Sequence, residues 1–259
     1  MANSEPIRTR KFSGGDLTLL PRQGYSASYQ QTSHGVGFAF DRQRGRHAFA
    51  SSRVQSFDTL ANTLAFVPVG CDVFSESDEG GEYLKINLSE EPCCLKPLQQ
   101  AVNGIHDRRA LRAAQQLRKA LLQNVAVETL RIDDWVDALT TPLQNTDAKA
   151  PACFSEREKR RIADWIETYL QDSLSVAAMA QACNLSEGYF ARRFKQSFAQ
   201  SPHDFVLERR VARARQQVFQ TQTALTEIAL DCGFSSHPHM SSAFQQRLGI
   251  SPSRLRQQQ

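Results

Sequence analysis

The sequence predicts an α+β protein, with an N-terminal β domain that carries a helical hairpin and then an all-α domain of two helix-turn-helix units. Three observations predict it. Apolar residues alternate with small or polar ones within residues 10–90, their spacing becomes helical between about 92 and 140, and the last third contains one pattern twice. The chain of 259 residues, 41% hydrophobic, is long enough for two domains with cores.

Residues from about 10 to 90 are predicted to form short strands. Apolar side chains alternate with small or polar ones over residues 36–40 and 84–88, which indicates strands with one buried face. Several such strands separated by turn signals favour a sandwich or small barrel. Such a structure can enclose one small ligand, so we expect an apolar effector pocket lined by Phe38, Phe40, Phe66, Leu84 and Ile86. The alternative is that these side chains only fill the core.

Between about 92 and 140 the apolar spacing is helical. Leu111, Leu117 and Leu121 lie on one stripe of a predicted helix, and a second helix is predicted over residues 127–139. We expect these helices, at about 92–139, to form a homodimer. The alternative is that the stripe packs on its own β domain. Residues 1–140 are therefore assigned to a regulatory domain.

Residues 141–154 are predicted to be a linker, because the segment contains Pro142 and Pro151 and shows no periodicity. Ser155 and Glu158 have the spacing of a capping box, which marks the first helix of the second domain. That domain is predicted to span residues 155–259.

The second domain contains the same pattern twice, about 50 residues apart. The shared positions are Ala180, Cys183, Ser186, Phe194, Ser201 and Pro202, which recur as Ala229, Cys232, Ser235, Phe244, Ser251 and Pro252. Each copy predicts a short helix, a turn at Asn184 or Gly233, and a second helix. This is the layout of a helix-turn-helix. Two copies indicate a DNA-binding protein that reads two adjacent major-groove segments, about 34 Å apart.

The second helix of each unit has an apolar stripe, and the residues off that stripe are predicted to face DNA. They are Glu187, Gly188, Ala191, Arg192 and Lys195 in the first unit, and His237, Pro238, His239, Ser242, Gln245 and Gln246 in the second. The charge distribution is compatible with this assignment. Residues 1–154 contain 17 basic and 17 acidic side chains, so the formal net charge of +4 lies entirely in residues 155–259.

Two further motifs are specific. The second unit contains Ile228-Ala229-Leu230-Asp231-Cys232-Gly233-Phe234-Ser235-Ser236, followed by Phe244, Gly249, Ser251 and Pro252, and the helix between the units contains Arg209-Arg210-Val211-Ala212-Arg213-Ala214. With these motifs, residues 174–256 closely resemble the DNA-binding domain of the AraC/XylS transcription regulators. The chain departs from that pattern at Asn184, Ala199 and Met240, where the family commonly has glycine, glycine and an aromatic residue.

The resemblance implies a sequence-specific regulator that binds double-stranded promoter DNA, acts with RNA polymerase and more often activates than represses. For residues 1–140 it implies a cupin-like β domain and, in many members, a small-molecule effector. It also implies base contacts from Gly188, Ala191 and Arg192 and from their second-unit counterparts, Pro238, His239 and Ser242. Among these residues, only Arg192 can donate a bidentate pair of hydrogen bonds to guanine. We therefore expect the first unit to supply most direct readout and the second to make mostly phosphate and shape contacts.

The sequence gives little support for a membrane protein or for a secreted protein with disulfide bonds. No apolar run has the roughly 20 residues that span a bilayer, and the N-terminus lacks an apolar signal segment, so a cytoplasmic protein without membrane contact is expected. The six cysteines, including the vicinal pair Cys93-Cys94, have irregular spacing and are expected to be reduced thiols.

The sequence argues against two alternatives to a simple regulator. A cupin-type metal-dependent enzyme fused to the DNA-binding domain needs clustered histidines, but His34 and His47 are far apart in sequence, and the pair His237 and His239 lacks a third ligand. A cysteine-based chemical sensor needs clustered zinc-ligand spacing, which the cysteines do not have. The sequence thus predicts neither enzymatic activity nor a bound metal or cofactor.

Overall fold

The computed structural model describes residues 5–89, 100–123, 129–144 and 153–258, which fall into an N-terminal unit up to residue 144 and a C-terminal unit from residue 153. Cys93, Cys94 and most of the predicted linker at 141–154 lie outside the described residues.

The N-terminal unit is built from two antiparallel sheets. Its strands are β1 (Arg8–Phe12), β2 (Gly15–Leu20), β3 (Tyr25–Gln30), β4 (His34–Ala39), β5 (Gln43–Phe49), β6 (Gln55–Thr59), β7 (Thr63–Val67), β8 (Asp72–Ser77), β9 (Tyr83–Leu88) and β10 (Val102–Ile105). The strand order is β1-β2-β9-β4-β7-β10 in a six-stranded sheet and β3-β8-β5-β6 in a four-stranded one.

One face of the six-stranded sheet is apolar. Phe38 on β4 lies opposite Leu64 on β7 and Leu84 on β9, and Val36 lies opposite Phe66 and Ile86. Since alternate residues of a strand share a face, these side chains form one continuous layer. They are 0–1% exposed. The predicted alternation over residues 36–40 and 84–88 is confirmed in this layer.

The opposite face of the same sheet is polar and looks toward the four-stranded sheet. Tyr83, Lys85 and Asn87 alternate with the apolar residues of β9 and so point the other way. The Nζ atom of Lys85 lies 4.9 Å from the centre of the Tyr29 ring on β3, in the other sheet. The two sheets therefore face each other across polar and aromatic side chains.

Two helices follow the strands, α1 (Arg108–Gln123) and α2 (Thr129–Thr140), and a 3-10 turn covers Thr141–Gln144. The prediction that the helical segment begins near residue 92 is wrong for residues 102–105, which form β10 and pair with β7. Gly104 adopts φ +75°, which favours a bend in an extended segment over a helix.

The leucine stripe predicted to mediate dimerisation is buried within its own unit. Leu111, Leu117 and Leu121 on α1 are at most 5% exposed. This burial agrees with the alternative, in which the stripe packs on its own β domain. Because an interface needs exposed apolar surface, these three residues do not supply it.

A buried ion pair joins α1 to the turn before β9. Arg118 Nη1 lies 3.2 Å from Glu82 Oε2, and both side chains are almost completely buried. The guanidinium also lies over the Phe40 ring, 4.3 Å from its centre. The planar guanidinium makes both contacts at once and so fixes α1 to the sheet.

The C-terminal unit is helical. Its helices are α3 (Glu156–Thr168), α4 (Val176–Ala182), α5 (Glu187–Phe198), α6 (Pro202–Gln220), α7 (Leu225–Asp231), α8 (His237–Leu248) and α9 (Pro252–Arg256). The predicted capping box at Ser155 and Glu158 is present. Ser201 and Ser251 cap α6 and α9, each with proline at the start of the helix, so the repeated Ser-Pro pair marks a helix start in both copies.

We expect replacement of Arg118 by methionine to lower the free energy of unfolding of the N-terminal unit by about 3–5 kcal/mol, because Glu82 would be left buried without its cation. The measurement is urea unfolding of the full-length chain, followed by Trp135 fluorescence in a Trp165→Phe background. Arg112→Met, at an exposed position on the same helix, is the matched control and should change stability by less than about 0.5 kcal/mol. Equal effects of the two substitutions would contradict the role of the pair.

Candidate nucleic-acid interface

The first helix-turn-helix consists of α4 and α5, joined by a left-handed turn. Asn184 adopts φ +54°. The Leu185 amide donates to the Ala180 carbonyl, and the Asn184 amide to the Gln181 carbonyl, both at 3.0 Å. This is the Schellman pattern, which ends a helix and sends the chain off at a sharp angle.

The second unit, α7 and α8, repeats this turn. Gly233 adopts φ +82°, and the Phe234 amide donates to the Ala229 carbonyl at 2.9 Å. Glycine is required here for a further reason. A Cβ atom on Gly233 would lie 2.5 Å from the Leu170 carbonyl oxygen and 2.8 Å from Nε of Arg210. The turns predicted at Asn184 and Gly233 are therefore confirmed, with a tighter constraint in the second unit.

The buried stripes of α5 and α8 decide which residues face outward. Phe190, Phe194 and Phe198 on α5 are fully buried, and Phe194 stacks on Phe198 with ring centres 4.3 Å apart. Met240, Phe244 and Leu248 form the corresponding buried stripe on α8. Their burial holds each helix with its opposite face at the surface.

The structure places the predicted DNA-facing residues on these two outer faces. Ala191 and His237 are half-buried, and the other nine are exposed: Glu187, Gly188, Arg192, Lys195, Pro238, His239, Ser242, Gln245 and Gln246. Tyr189 was not predicted as part of the site, yet its side chain is 43% exposed on α5, one residue after Gly188. Its position off the Phe190 and Phe194 stripe could have predicted that Tyr189 is exposed.

The caps of the two second helices differ from each other. Ser186 occupies the N-cap position of α5, but its side chain makes no capping hydrogen bond. In the second unit the cap is Ser236, the residue that the second copy has in addition, and its hydroxyl accepts from the His239 amide at 3.3 Å. The additional residue therefore moves the start of α8 by one position.

Two adjacent arginines on α5 have different environments. Arg193 is half-buried, donates to the Cys153 carbonyl and to Glu158 at 3.3 Å, and lies 4.4 Å from the centre of the Phe154 ring. Within the described part of the chain, Arg192 and Lys195 form neither a hydrogen bond nor an ion pair. Arg193 therefore holds α3 against α5, and the cations of α5 that are available to a ligand are Arg192 and Lys195.

The histidines of α8 form local hydrogen bonds. His239 Nδ1 lies 3.0 Å from Ser235 Oγ, and its ring meets Phe234 edge to face with centres 5.4 Å apart. His237 Nε2 lies 3.2 Å from Ser241 Oγ. The two rings thus have separate partners, and the residues that the structure describes include no cluster of three metal-ligating side chains.

A network on α6 fixes the position of α8, and it was not predicted from the sequence. Arg247 on α8 donates to Asp204 at 2.5 Å and lies 3.9 Å from Glu208, which is 2% exposed. Burial opposes ionisation of the Asp204 carboxyl, but hydrogen bonds from Ser201 and Arg247 hold its pKa below the ordinary value. The network therefore keeps a charged, directional contact between the two helices.

Three of the described thiols, those of Cys71, Cys183 and Cys232, are poor nucleophiles. Burial raises the pKa of Cys232 to about 11 and raises the pKa values of Cys71 and Cys183. A raised thiol pKa leaves little thiolate at neutral pH. Cys232 is fully buried, whereas its counterpart Cys183, directly after α4, is half-buried.

None of the helices in the described residues is long and apolar enough to cross a membrane.

We expect Gly233→Ala to destabilise the C-terminal unit by about 2–4 kcal/mol, because alanine is strained at positive φ and its Cβ would collide with the Leu170 carbonyl. Urea unfolding followed by Trp165 fluorescence in a Trp135→Phe background measures this. The matched control is Asn184→Gly, at the same turn position of the first unit, which should stay within about 0.5 kcal/mol of the parent. A mild effect at Gly233 would show that the second turn relaxes without cost.

Comparison with known proteins agrees with this geometry. The sequence profile of a family described as a helix-turn-helix domain matches residues 179–258. LumQ of Photobacterium leiognathi, described as a probable transcriptional regulator, is 32% identical over 122 residues, which are 45% of this chain and 49% of LumQ. The HTH-type transcriptional regulator ArgR of Pseudomonas aeruginosa is 38% identical over 93 residues, which are 36% of this chain and 28% of ArgR.

One solved structure is that of a transcriptional regulator from Chromobacterium violaceum, and its description names AraC-type DNA-binding domain-containing proteins. Its sequence is 33% identical to this chain. The match covers 40% of this chain and 92% of that one, with a TM-score of 0.38. The chain spans about half or less of the length of LumQ and ArgR. Both copies of the repeat lie in the matched segment apart from the start of α4, and residues 179–258 of this chain are an AraC-type helix-turn-helix domain.

Proposed function

We propose that this protein is a sequence-specific DNA-binding transcription regulator whose C-terminal unit binds double-stranded promoter DNA. The observation that carries the proposal is the outer face of α5. It presents Arg192 and Lys195 at the surface, while the neighbouring Arg193 is held within the unit. Unpaired cations on the second helix of a helix-turn-helix are placed to meet phosphates and base edges in the major groove.

The second proposed element is a two-segment readout. Because α6 packs against both α5 and α8, both second helices belong to one body, which suits binding to adjacent major-groove segments. The first unit supplies most direct readout through Arg192. The second makes mainly phosphate and shape contacts, since Pro238 has no donor and His239 already bonds to Ser235.

The N-terminal unit is proposed to regulate the DNA-binding unit. Two facing antiparallel sheets are compatible with a cupin-like domain that takes up a small-molecule effector. Activation, contact with RNA polymerase and assembly as a homodimer are the functions that the family resemblance implies, and the dimer surface would lie outside the buried leucines of α1. Control through binding rather than catalysis fits the separate histidine partners and the protonated thiols.

We expect residues 153–259 alone to fold and bind DNA, since the helices α3 to α9 form their own core. Affinity for genomic fragments should fall steeply with salt, because phosphate contacts release counterions. Circular dichroism and fluorescence anisotropy at several salt concentrations measure folding and binding. A folded fragment without salt-dependent DNA affinity would rule out the proposed function.

We expect Arg192→Ala to weaken binding at the specific site by about 1–3 kcal/mol and to relax the preference at one base pair, because a two-pronged contact to guanine is lost. Selection of binding sites from a random DNA pool, followed by anisotropy, measures both effects. Arg157→Ala, at an exposed arginine on α3, is the control and should leave the selected motif unchanged. An unchanged motif with Arg192→Ala would move the main readout to another residue.

A further inference from the structure

The outward face of α1 carries only cations and amides. The 3.6-residue period of a helix places these residues on one arc of its surface: Arg108, Arg109, Arg112, Gln115, Gln116 and Lys119. The three arginines and Gln116 are exposed, and the apolar residues of α1 lie on the opposite, buried side. The sequence of α1 contains no acidic residue. The outward face therefore has several positive charges and no carboxylate of its own helix to neutralise them.

The three arginines have no partner among the described residues. Within residues 5–89, 100–123, 129–144 and 153–258, the side chains of Arg108, Arg109 and Arg112 form neither a hydrogen bond nor an ion pair. The carboxylate just before the helix, that of Asp107, accepts from the backbone amides of Arg109 and Ala110 at 2.7 and 2.9 Å. Asp107 thus caps the helix, and the guanidinium groups remain available to a ligand.

The charges of α1 are placed against the helix dipole. Its first turn contains arginines and no acidic residue, and its last turn contains no basic residue. Since the first turn of a helix carries partial positive charge, cations there oppose helix stability. Helix α3 has the favourable pattern, with Glu156 and Glu158 in its first turn and both signs of charge along its length. The stability of α1 therefore does not explain its arginines, whereas binding of an anion does.

We propose that the outward face of α1 binds the phosphate backbone of the DNA duplex to which the C-terminal unit is bound. The inference rests on the proposed function, because a duplex held by one unit is at high effective concentration for the other unit of the same chain. Arginine side chains match phosphate oxygens through two parallel hydrogen bonds, and glutamine side chains add neutral donors. The contact adds affinity and salt dependence without base preference.

The composition of the face disfavours other occupants. A second copy of the chain that docked with the same face would set arginines against arginines, and like charges oppose that contact. A helix that lies on a membrane inserts its apolar side, but the apolar side of α1, with Ala114 and Leu117, is buried within its own unit. Protein interfaces have an apolar core, and the exposed residues of this face include no apolar side chain. A polyanion needs neither.

The experiment compares full-length variants on a duplex that carries the selected binding site and about one further helical turn on each side. Arg108→Gln combined with Arg112→Gln removes two charges from the face. Each phosphate contact contributes about 0.9 to the slope of log affinity against log salt concentration, so we expect this slope to fall by about 1.8. Affinity at about 0.1 M salt should fall tenfold or more, while the selected motif is unchanged. Anisotropy measures the affinities.

The matched control is Lys11→Gln combined with Arg53→Gln, which removes the same charge from two exposed positions elsewhere on the N-terminal unit. It should keep the slope within about 0.5 of the wild type, because salt screens distant charges. Arg108→Lys with Arg112→Lys retains the charges and should retain most of the slope. Thermal unfolding checks folding, and the glutamine variant should be at least as stable as the wild type, since it relieves an unfavourable interaction with the helix dipole.

A glutamine variant with the salt dependence of the wild type would overturn the proposal, and so would an equal loss in the control. Sedimentation with phosphatidylcholine vesicles that contain about one third phosphatidylserine tests the other polyanionic surface. Vesicle binding that depends on Arg108 and Arg112, with DNA binding unchanged, would assign the face to lipid and overturn the proposal. Failure of the folded wild-type chain to bind DNA refutes the proposed function, whereas equal binding by wild type and glutamine variant refutes this inference alone.

Discussion

The arrangement of the C-terminal unit depends on α6 having packing surfaces for both helix-turn-helix units. Phe205 near its start contacts Phe194 and Phe198 of the first unit, with ring centres 5.6 and 5.2 Å away. Asp204 and Glu208, which flank Phe205 on α6, hold Arg247 of α8. Because one rigid helix carries both sets of contacts, neither second helix can turn without disturbing the other. The spacing of the two outer faces is therefore a property of α6 rather than of the turns.

Several arginines of this unit form contacts within the fold and do not point toward a ligand. Arg209 donates to Glu167 at 2.5 Å, Arg210 donates to the Leu170 and Asp172 carbonyls, and Arg193 binds Glu158. Burial lowers the pKa of Arg210 from its ordinary value, yet the two carbonyls satisfy its donors. A net charge counted from the sequence thus overstates the charge available to a polyanion. Arg192 and Lys195 therefore indicate where a polyanion could bind, because neighbouring arginines already bind groups of the protein.

Local patterns of the sequence were sufficient for the helix-turn-helix units and insufficient for the β unit. The capping box at Ser155 and Glu158, the left-handed turns and the phenylalanine stripe depend on residues a few positions apart, so spacing alone predicted them. Strand β10 depends on pairing with β7, about 40 residues earlier, and no local pattern encodes that partner. Alternation along β9 showed that Leu84 and Lys85 face opposite sides, but not which side meets the second sheet. The ion pairs of Arg118 and Arg247 could likewise not be predicted from local patterns, since each joins residues more than 30 positions apart.

Gly188 lies on the outer face of α5, and a Cβ atom added there would meet nothing within 4 Å. The position can thus accept a side chain without repacking, and alanine or a longer residue would also favour the helix over glycine. Arg193, five positions along, has no such freedom, because its replacement would remove its contacts with Glu158 and Phe154. Under the proposed function, Gly188 is thus the position at which a single mutation adds a side chain to the DNA-facing surface of α5 while the packing of the unit is left unchanged.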